Sequence, residues 1–310
     1  MRILLTGVTG LFGRYIAEMN PDPSRISIVG TSRRQHAWST LGMLSGYSAL
    51  PFGNRTAYSR LIDDVKPDVV VNTGGQGNVD FVDGDLESAV EDNVAFPIFL
   101  MERCAQSGAR LVHFSSNAVY GGDDAPYSEI SPAAPVNSYG RLKSQVDTLM
   151  RGELARWTIL RPTVGYGWHH AFGRGNPISL TIPTMLEGHS SRMVVDQIEN
   201  PVYAGDVALT FWKMMTCDFS GELNVAGGDD GVSRYEWLRT AAAQFGIPAN
   251  RVAPARMNDF RSGARRPADT RFDTAKLRAV LGIEPKTVAD GAVCMREDSA
   301  RSPLSVKIPA

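Results

Sequence analysis

Apolar residues in the first half of the chain form short runs that alternate with longer amphipathic stretches. The runs lie at residues 3–5, 26–29, 69–71, 111–114 and 157–160, and the stretches with helical spacing lie at 11–19, 86–104 and 138–150. Strands that alternate with helices pair in parallel and carry helices on both faces of the sheet. The pattern therefore predicts an α/β fold with a doubly wound parallel sheet of the Rossmann type. The segment 31–65 has a weaker pattern, in which we expect a strand near 48–50.

The pattern changes after Pro162. A loop rich in Gly and His spans 165–176, and helical spacing returns at 178–187, 206–215 and 234–245, with short strands predicted at 193–195 and 222–225. We expect a Rossmann domain over 1–165 and a smaller substrate-binding lobe over 166–300 that is partly interleaved with it. Residues 301–310 contain few apolar side chains and are expected to form a mobile tail.

Composition limits the class of protein. The chain has 310 residues, 43% of them hydrophobic, and a formal net charge of -1, so nothing favours a nucleic acid or an anionic membrane as partner. No apolar stretch approaches the roughly 20 residues of a membrane-spanning helix. Cys104, Cys217 and Cys294 have neither a zinc-ligand spacing nor a disulfide pattern. We expect a soluble cytoplasmic protein without a bound metal.

Three glycines follow the first predicted strand. Gly7, Gly10 and Gly13 stand in the order G-x-x-G-x-x-G, between that strand and a helical stretch. In a dinucleotide site the first glycine permits a tight turn, the second allows close approach of a pyrophosphate, and the third lets the helix pack against the sheet. The free N–H groups of the helix N-terminus then face the anion.

The end of the second strand bears on the choice of dinucleotide. Sites for NAD usually carry an acid about 20 residues beyond the glycines. Here the segment ends in Ser32, Arg33 and Arg34 and contains no acid. An arginine at this place can pair with the 2′-phosphate that NADP carries and NAD lacks. The sequence favours NADP(H) and leaves NAD(H) open.

A tyrosine and a lysine in the second half of the domain predict acid–base chemistry. Tyr139 and Lys143 are four residues apart, which places both on one face of a helix. An ammonium group near a phenol lowers the pKa of the phenol, which can then exchange a proton with a substrate oxygen. Ser116 follows the strand at 111–114 and could hydrogen-bond the same oxygen. We expect Ser116, Tyr139 and Lys143 to be catalytic.

With these motifs the chain resembles the extended short-chain dehydrogenase/reductase superfamily, and within it the dTDP-4-dehydrorhamnose reductases. Segments at 6–13, 67–72, 115–121, 160–162, 194–206 and 266–277 carry the resemblance, together with Asn93. It implies reduction of a keto group on a nucleotide sugar of the 4-keto-6-deoxy hexose type. It also implies a cofactor site formed by Gly7, Thr9, Gly10, Leu11, Phe12, Gly13, Ser32, Arg33, Arg34, Thr73, Gly74, Gly75, Ser115, Tyr139, Lys143, Pro162 and Thr163.

Substrate contacts are less well defined by the sequence. The candidates are Asn117, His169, Arg174 and Gln197, and further arginines at 192, 265 and 266 could hold a diphosphate. Dehydratases of the superfamily carry an Asp-Glu pair where this chain has Asn117 and Ala118, so dehydration is not expected. A nucleotide-sugar epimerase and a non-catalytic NADP-binding subunit, like the methionine adenosyltransferase β subunit, remain alternatives. A homodimer also stays open.

Overall fold

The computed structural model describes residues 1–36, 41–153, 155–260 and 263–301. Most of the tail expected at 301–310 lies outside the described residues. The strands are β1 Arg2–Thr6, β2 Ser27–Ser32, β3 Gly46–Ala49, β4 Val69–Asn72, β5 Arg110–Phe114, β6 Trp157–Pro162, β7 Gly165–Tyr166, β8 Ser191–Val194, β9 Ile198–Glu199, β10 Val202–Tyr203, β11 Gly221–Val225, β12 Val232–Ser233 and β13 Val252–Ala255.

The helices surround these strands. They are α1 Leu11–Glu18, α2 Arg55–Val65, α3 Val79–Gly84, α4 Leu86–Val90, α5 Phe96–Ser107, α6 Ser138–Glu153, α7 Pro177–Leu186, α8 Ala204–Thr216, α9 Arg234–Gln244, α10 Ala275–Leu281 and α11 Val288–Glu297. Among the described residues, no helix is long and apolar enough to cross a membrane.

Seven strands form one parallel sheet in the order β11-β6-β5-β4-β1-β2-β3. The order reverses beside β1, because β2 and β3 follow on one side of it and the chain then crosses to β4 on the other side. In doubly wound sheets ligands bind at this crevice, beyond the carboxyl ends of the strands. The predicted fold class is confirmed.

Side chains that alternate along the strands bury both faces of the sheet. In β1, Ile3 and Leu5 belong to an apolar cluster with α1 and α8, whereas Leu4 belongs to a second cluster with α2, α5 and α6. All three are fully buried. A strand covered on both faces reads as a continuous apolar run, which is why the sequence shows it clearly.

The second half of the chain contributes to both parts of the molecule. β11 pairs in parallel with β6 and so belongs to the main sheet, whereas β8 and β13 form a separate two-stranded sheet that contacts α9. The chain thus crosses back into the sheet after residue 166. The boundary at 165/166 stays a prediction.

Two expectations about individual elements differ from the structure. The single helix predicted over 86–104 is α4 and α5 joined by a π-helical segment, Glu91–Ala95. In the segment 31–65 the expected strand lies at Gly46–Ala49, and the amphipathic helix α2 follows it. Side chain–backbone capping by Asn54, which accepts from Ala57 N at 3.2 Å, marks the start of α2.

Candidate active site

The glycine-rich turn joins β1 to α1 at the switch point of the sheet. Gly7 has a φ of 72°, and a Cβ there would lie 2.8 Å from Gly74 Cα. A Cβ at Gly13 would lie 2.5 Å from Gly7 O, so both positions require glycine. α1 begins after Gly10 without a side-chain cap, and Gly10, Leu11 and Phe12 line a cleft of about 480 Å³. This cradle fits a dinucleotide pyrophosphate, since anions bind at open helix N-termini.

The end of β4 closes the other side of this turn. Thr73 Oγ1 donates to Thr6 O at 2.7 Å, and Gly74 packs against the ring of Phe52. Gly75 has a φ of 147°, and a Cβ there would lie 2.6 Å from Asn93 Oδ1. The predicted residues 73–75 are thus brought next to the glycine turn, in a backbone conformation that Asn93 helps to set.

Asn93 belongs to the π-helical segment and is fully buried. Its Oδ1 accepts from Gln76 N and its Nδ2 donates to Gln76 O, both at 3.2 Å. The amide therefore satisfies both backbone groups of Gln76 and holds the loop after β4 in place. π-bulges often occur at functional sites, because the extra residue redirects a side chain.

The end of β2 carries the residues expected to choose the dinucleotide. Ser32 is buried, and its hydroxyl bonds Arg34 O and the Tyr47 hydroxyl, both at 2.7 Å. Arg33 Nη1 pairs with Asp92 Oδ2 at 3.1 Å, and its guanidinium lies over the Phe52 ring. Burial raises the pKa of Asp92, and the positive charge of Arg33 acts in the opposite direction. Arg34 is exposed. The half-exposed guanidinium of Arg33 thus lies over the ring that packs against Gly74, where a phosphate could bind.

Ser116, Tyr139 and Lys143 come together on the wall of the cleft. Ser116 follows β5 and accepts from Ala118 N at 3.2 Å, which starts a short 3₁₀ turn. α6 packs on that turn so closely that a Cβ at Gly140 would overlap the Ala118 carbonyl oxygen. This contact sets the spacing between Ser116 and Tyr139. Both line the cleft that also borders Gly10 and Phe12.

The protonation of the pair differs from the sequence expectation. Lys143 Nζ donates to Phe114 O at 2.8 Å, and burial lowers the pKa of Lys143 to about 8, against the charge of Asp147. The pKa of Tyr139 is raised, because burial outweighs the hydrogen bond from Ser116 and the charge of Arg174. The expectation that Lys143 depresses the pKa of Tyr139 is therefore not met in this state. A raised pKa keeps the phenol protonated, as proton donation to an alkoxide requires.

A buried charge network that the sequence did not reveal lies beneath this pair. Asp147 Oδ2 accepts from Ser115 Oγ and from Arg161 Nε, both at 2.9 Å. Arg161 Nη2 also pairs with Glu222 Oε2 at 2.6 Å, and Glu222 pairs with Arg151. Asp147 lies four residues after Lys143, a spacing that could have pointed to it. Its strand partners are distant in sequence and could not be predicted.

Three of the four expected substrate residues, Asn117, Arg174 and Gln197, line the same cleft. Asn117 Nδ2 donates to Thr270 Oγ1 at 2.8 Å, and Arg174 lines the cleft near Tyr139. Gln197 is buried and lines both this cleft and a second cavity. His169 is also buried but does not line either of them, so the structure does not bring it to the site. Pro162 and Thr163 also border this cleft.

The second cavity has a volume of about 760 Å³ and adjoins the cleft at Gln197, Arg234 and Arg266. Arg234 pairs with Glu199 at 2.8 Å, and Arg266 pairs with Asp80 at 2.6 Å. Apolar side chains share the wall with these cations, and the lining residues are Asp80, Arg192, Met193, Val194, Gln197, Arg234, Met257, Asn258, Phe260, Ala264, Arg265 and Arg266. A cavity with arginines and apolar walls suits a ligand that has both a phosphate and a ring.

The geometry therefore combines a dinucleotide cradle, a phenol–ammonium–hydroxyl set and an adjoining cationic cavity. Across the described part of the chain, no group of three or more His, Cys, Asp or Glu side chains is arranged to hold a metal ion. The arrangement can place a carbonyl oxygen between Ser116 and Tyr139, next to the dinucleotide cradle.

Comparison with known proteins gives consistent matches. The family profile described as RmlD substrate binding domain matches residues 1–298. The dTDP-4-dehydrorhamnose reductase of Aggregatibacter actinomycetemcomitans is 26% identical over 302 residues, 92% of this chain and 94% of that protein. The methionine adenosyltransferase 2 subunit beta of Xenopus tropicalis is 28% identical over 293 residues, 92% of this chain and 84% of that protein.

Solved structures agree in fold. The crystal structure of dTDP-4-dehydrorhamnose reductase from Bacillus anthracis in complex with NADP matches with a TM-score of 0.82 at 20% identity, over 96% of this chain and 99% of that one. The resemblance predicted from the sequence motifs is confirmed.

Proposed function

The chain belongs to the RmlD substrate binding domain family, and we propose that it uses NADPH to reduce a keto group on a nucleotide sugar of the 4-keto-6-deoxy hexose type. The observation that carries the proposal is the convergence of Ser116, Tyr139 and Lys143 beside the open N-terminus of α1. The similarity to dTDP-4-dehydrorhamnose reductases over 92% of the chain supports the same reaction.

NADPH, when bound, supplies a hydride. In this proposal Gly7, Gly10 and Gly13 leave room for its pyrophosphate, and Arg33 offers a cation to its 2′-phosphate. The relative from Bacillus anthracis was crystallised with NADP, which supports the choice of dinucleotide. An epimerase that retains NAD would gain nothing from Arg33 at this place.

In the proposed mechanism each of the three residues has one task. The Ser116 hydroxyl donates a hydrogen bond to the substrate carbonyl oxygen and stabilises the charge that develops there. The Tyr139 phenol gives its proton to that oxygen. The Lys143 ammonium stabilises the tyrosinate that results, and it would contact the nicotinamide ribose.

The adjoining cavity is proposed to hold the nucleoside diphosphate. Arg234 and Arg266 lie where the cavity meets the cleft, so a sugar in the cleft would place its diphosphate between them. The apolar wall formed by Met193, Val194 and Phe260 suits a base. Which sugar and which base are bound is left to experiment.

The proposal is tested by single-turnover oxidation of NADPH with a 4-keto-6-deoxy nucleotide sugar. Tyr139→Phe should keep cofactor affinity and lose about 10²- to 10⁴-fold in rate, because one positioned acid is commonly worth that much. Tyr235→Phe is the matched control, since its hydroxyl accepts from Arg239 in α9 at 3.3 Å and Tyr235 lines neither the cleft nor the second cavity. A Tyr139→Phe protein with the wild-type rate would refute the role of Tyr139 as the proton donor.

A second candidate function follows from the other group of relatives. The 28% identity to a methionine adenosyltransferase β subunit favours a non-catalytic NADP-binding subunit. In that case the wild-type protein would bind NADPH yet turn over no keto sugar, and it would co-elute with a methionine adenosyltransferase catalytic subunit on size exclusion.

A further inference from the structure

Three polar side chains follow one another along the inner face of α6. Tyr139, Lys143 and Asp147 are spaced by four residues, so each lies one turn below the last. Asp147 is the deepest of the three, with 2% of its side chain exposed. A carboxylate so far from water needs partners of opposite charge or hydrogen-bond donors.

Asp147 finds its partners on two strands. Ser115 Oγ, at the end of β5, and Arg161 Nε, near the end of β6, both donate to Asp147 Oδ2 at 2.9 Å. Ser115 directly precedes Ser116, and Arg161 directly precedes Pro162. One carboxylate thus connects the helix that carries Tyr139 and Lys143 with the two strand ends that carry the rest of the site.

The charges around Lys143 come from three elements. His113 lies on β5 and Arg161 on β6, while Tyr139 and Asp147 lie on α6 itself. His113 is fully buried, and its pKa is held well below its usual range by burial and by the charges of Lys143 and Arg161, so it stays neutral. Arg161 and Lys143 are both cations, and Asp147 faces both.

We propose that Asp147 is a positioning residue, whose buried carboxylate keeps Lys143 charged and fixes α6 against the ends of β5 and β6. The part concerning catalysis rests on the proposed function, whereas the charge of Lys143 can be measured without any substrate. Burial favours the neutral amine, and Asp147 opposes it. Without the carboxylate, Arg161 would keep Glu222 as a partner, whereas Lys143 would lose the anion that opposes the effect of its burial.

The contacts of Arg161 suggest that the variant Asp147→Asn should still fold. Arg161 also pairs with Glu222, so an amide at position 147 leaves the guanidinium with a carboxylate partner. Asn has nearly the shape of Asp and can still accept from Ser115 and Arg161. Asp147→Asn therefore removes the charge with little change in packing.

The experiment is an NMR titration of the free protein labelled with ¹³C at lysine Cε. The chain has only six lysines, and Lys143→Met identifies the signal of Lys143. In Asp147→Asn the pKa of Lys143 should fall by about 1 or more, a tenfold change in proton affinity. Ser115→Ala removes a hydrogen bond but no charge and should leave that pKa nearly in place. Asp147→Glu, which restores the charge, should return it toward the wild-type value.

An unchanged pKa of Lys143 in Asp147→Asn would overturn the proposal, whether or not the wild type reduces a keto sugar. Thermal unfolding of each variant shows whether it is folded. If Asp147→Asn does not fold, Asp147→Ser removes the same charge with a smaller side chain, and the same fall is expected. Where turnover is measurable, the alkaline limb of the kcat/KM profile of Asp147→Asn should move to lower pH, following the pKa of Lys143. An alkaline limb at the same pH as in the wild type would contradict the positioning role.

Discussion

Lys143 holds an ammonium group in a place where water hardly reaches it. Only 4% of the residue is exposed, and its Nζ donates to a backbone carbonyl. Burial of a cation weakens its hold on the proton, so the group titrates near the physiological range and not near 10.4. The activity of the site and the stability of the fold should therefore respond to pH in opposite directions.

The first prediction concerns this opposition. The folded-state pKa of Lys143 is about 8, below the value of an unfolded lysine, so the unfolded chain binds more protons between about pH 8 and 10.4. The contribution of Lys143 to stability therefore rises with pH in that window, whereas kcat/KM falls as the pH rises through about 8. Denaturant unfolding and initial rates across this range check both. Lys143→Met should abolish this pH-dependent contribution to stability. A kcat/KM that stays constant up to pH 10 would contradict the role of the charged Lys143 in the reaction.

The second prediction concerns the cation at the end of β2. Arg33→Ala/Arg34→Ala should weaken NADPH binding by about 10- to 100-fold and leave NADH binding nearly unchanged. A hydrogen bond to a charged group is worth about 1.5–3 kcal/mol, and only NADPH carries the 2′-phosphate. Fluorescence titration of both cofactors measures the effect. Arg60→Ala, which changes an exposed arginine on α2, is the control. Equal wild-type affinities for NADPH and NADH would refute the idea.

At the scale of residues, the sequence predicted the functional residues that belong to a local motif. It missed those whose role depends on contacts formed only in the folded structure. Tyr139, Lys143 and the glycines were predicted because a fixed local spacing carries their chemistry. Asp92 and Asp147 were not, because their partners Arg33 and Arg161 become neighbours only after the sheet forms. The raised pKa of Tyr139 could not be foreseen either, since burial depends on the whole cleft.

At the scale of elements, the π-helical segment between α4 and α5 has the clearest effect on the site. It turns Asn93 toward the loop after β4, where the amide bonds both backbone groups of Gln76. The sequence predicted one helix over 86–104, because a single wider turn hardly disturbs apolar periodicity. β1, β4 and β5 were predicted well, since strands buried on both faces form unbroken apolar runs.

Asn93→Ala should lower the free energy of unfolding by about 1–3 kcal/mol, because it leaves both half-buried backbone groups of Gln76 without their partner. It should also weaken NADPH binding, since Gly75 and Gln76 would no longer be held beside the glycine turn. Asn54→Ala is the control for stability alone: it removes the cap of α2 and should cost about 1 kcal/mol without any change in cofactor affinity. If Asn93→Ala binds NADPH as the wild type does, the loop does not depend on that amide.

At the scale of the whole molecule, the two cavities lie on opposite sides of Gln197, Arg234 and Arg266. One opens on the glycine turn and the other on the lobe formed by β8, β13 and α9. This arrangement arises because the chain forms β8 in the lobe first and then returns to the main sheet with β11. The sequence predicted interleaving of the two parts but not which strand returns, because a five-residue strand with only two large apolar side chains does not reveal its partner.

Two adjoining cavities, one for each ligand, predict that NADPH and a nucleoside diphosphate each stabilise the protein. NADPH at 100 times its Kd should raise the free energy of unfolding by about 2.7 kcal/mol, and a matching nucleoside diphosphate should add its own increment. Thermal unfolding with a panel of nucleoside diphosphates, each with and without NADPH, measures both and identifies the base. Arg266→Ala should reduce the second increment and spare the first. A nucleotide that competes with NADPH would show that one cavity serves both ligands.

The contact between Gly140 and Ala118 sets a limit on how this protein could be altered. The backbone of α6 touches the turn after Ser116, and there is no space between them even for a methyl group. An engineer who replaced Gly140 by alanine would leave every reactive atom in the chain, together with both cavities. The substitution would force the helix and the turn apart, and the serine and tyrosine would no longer reach the same substrate oxygen. Inactivation by a change of spacing, with the reactive groups intact, would yield a protein that still captures its ligands and releases them unchanged.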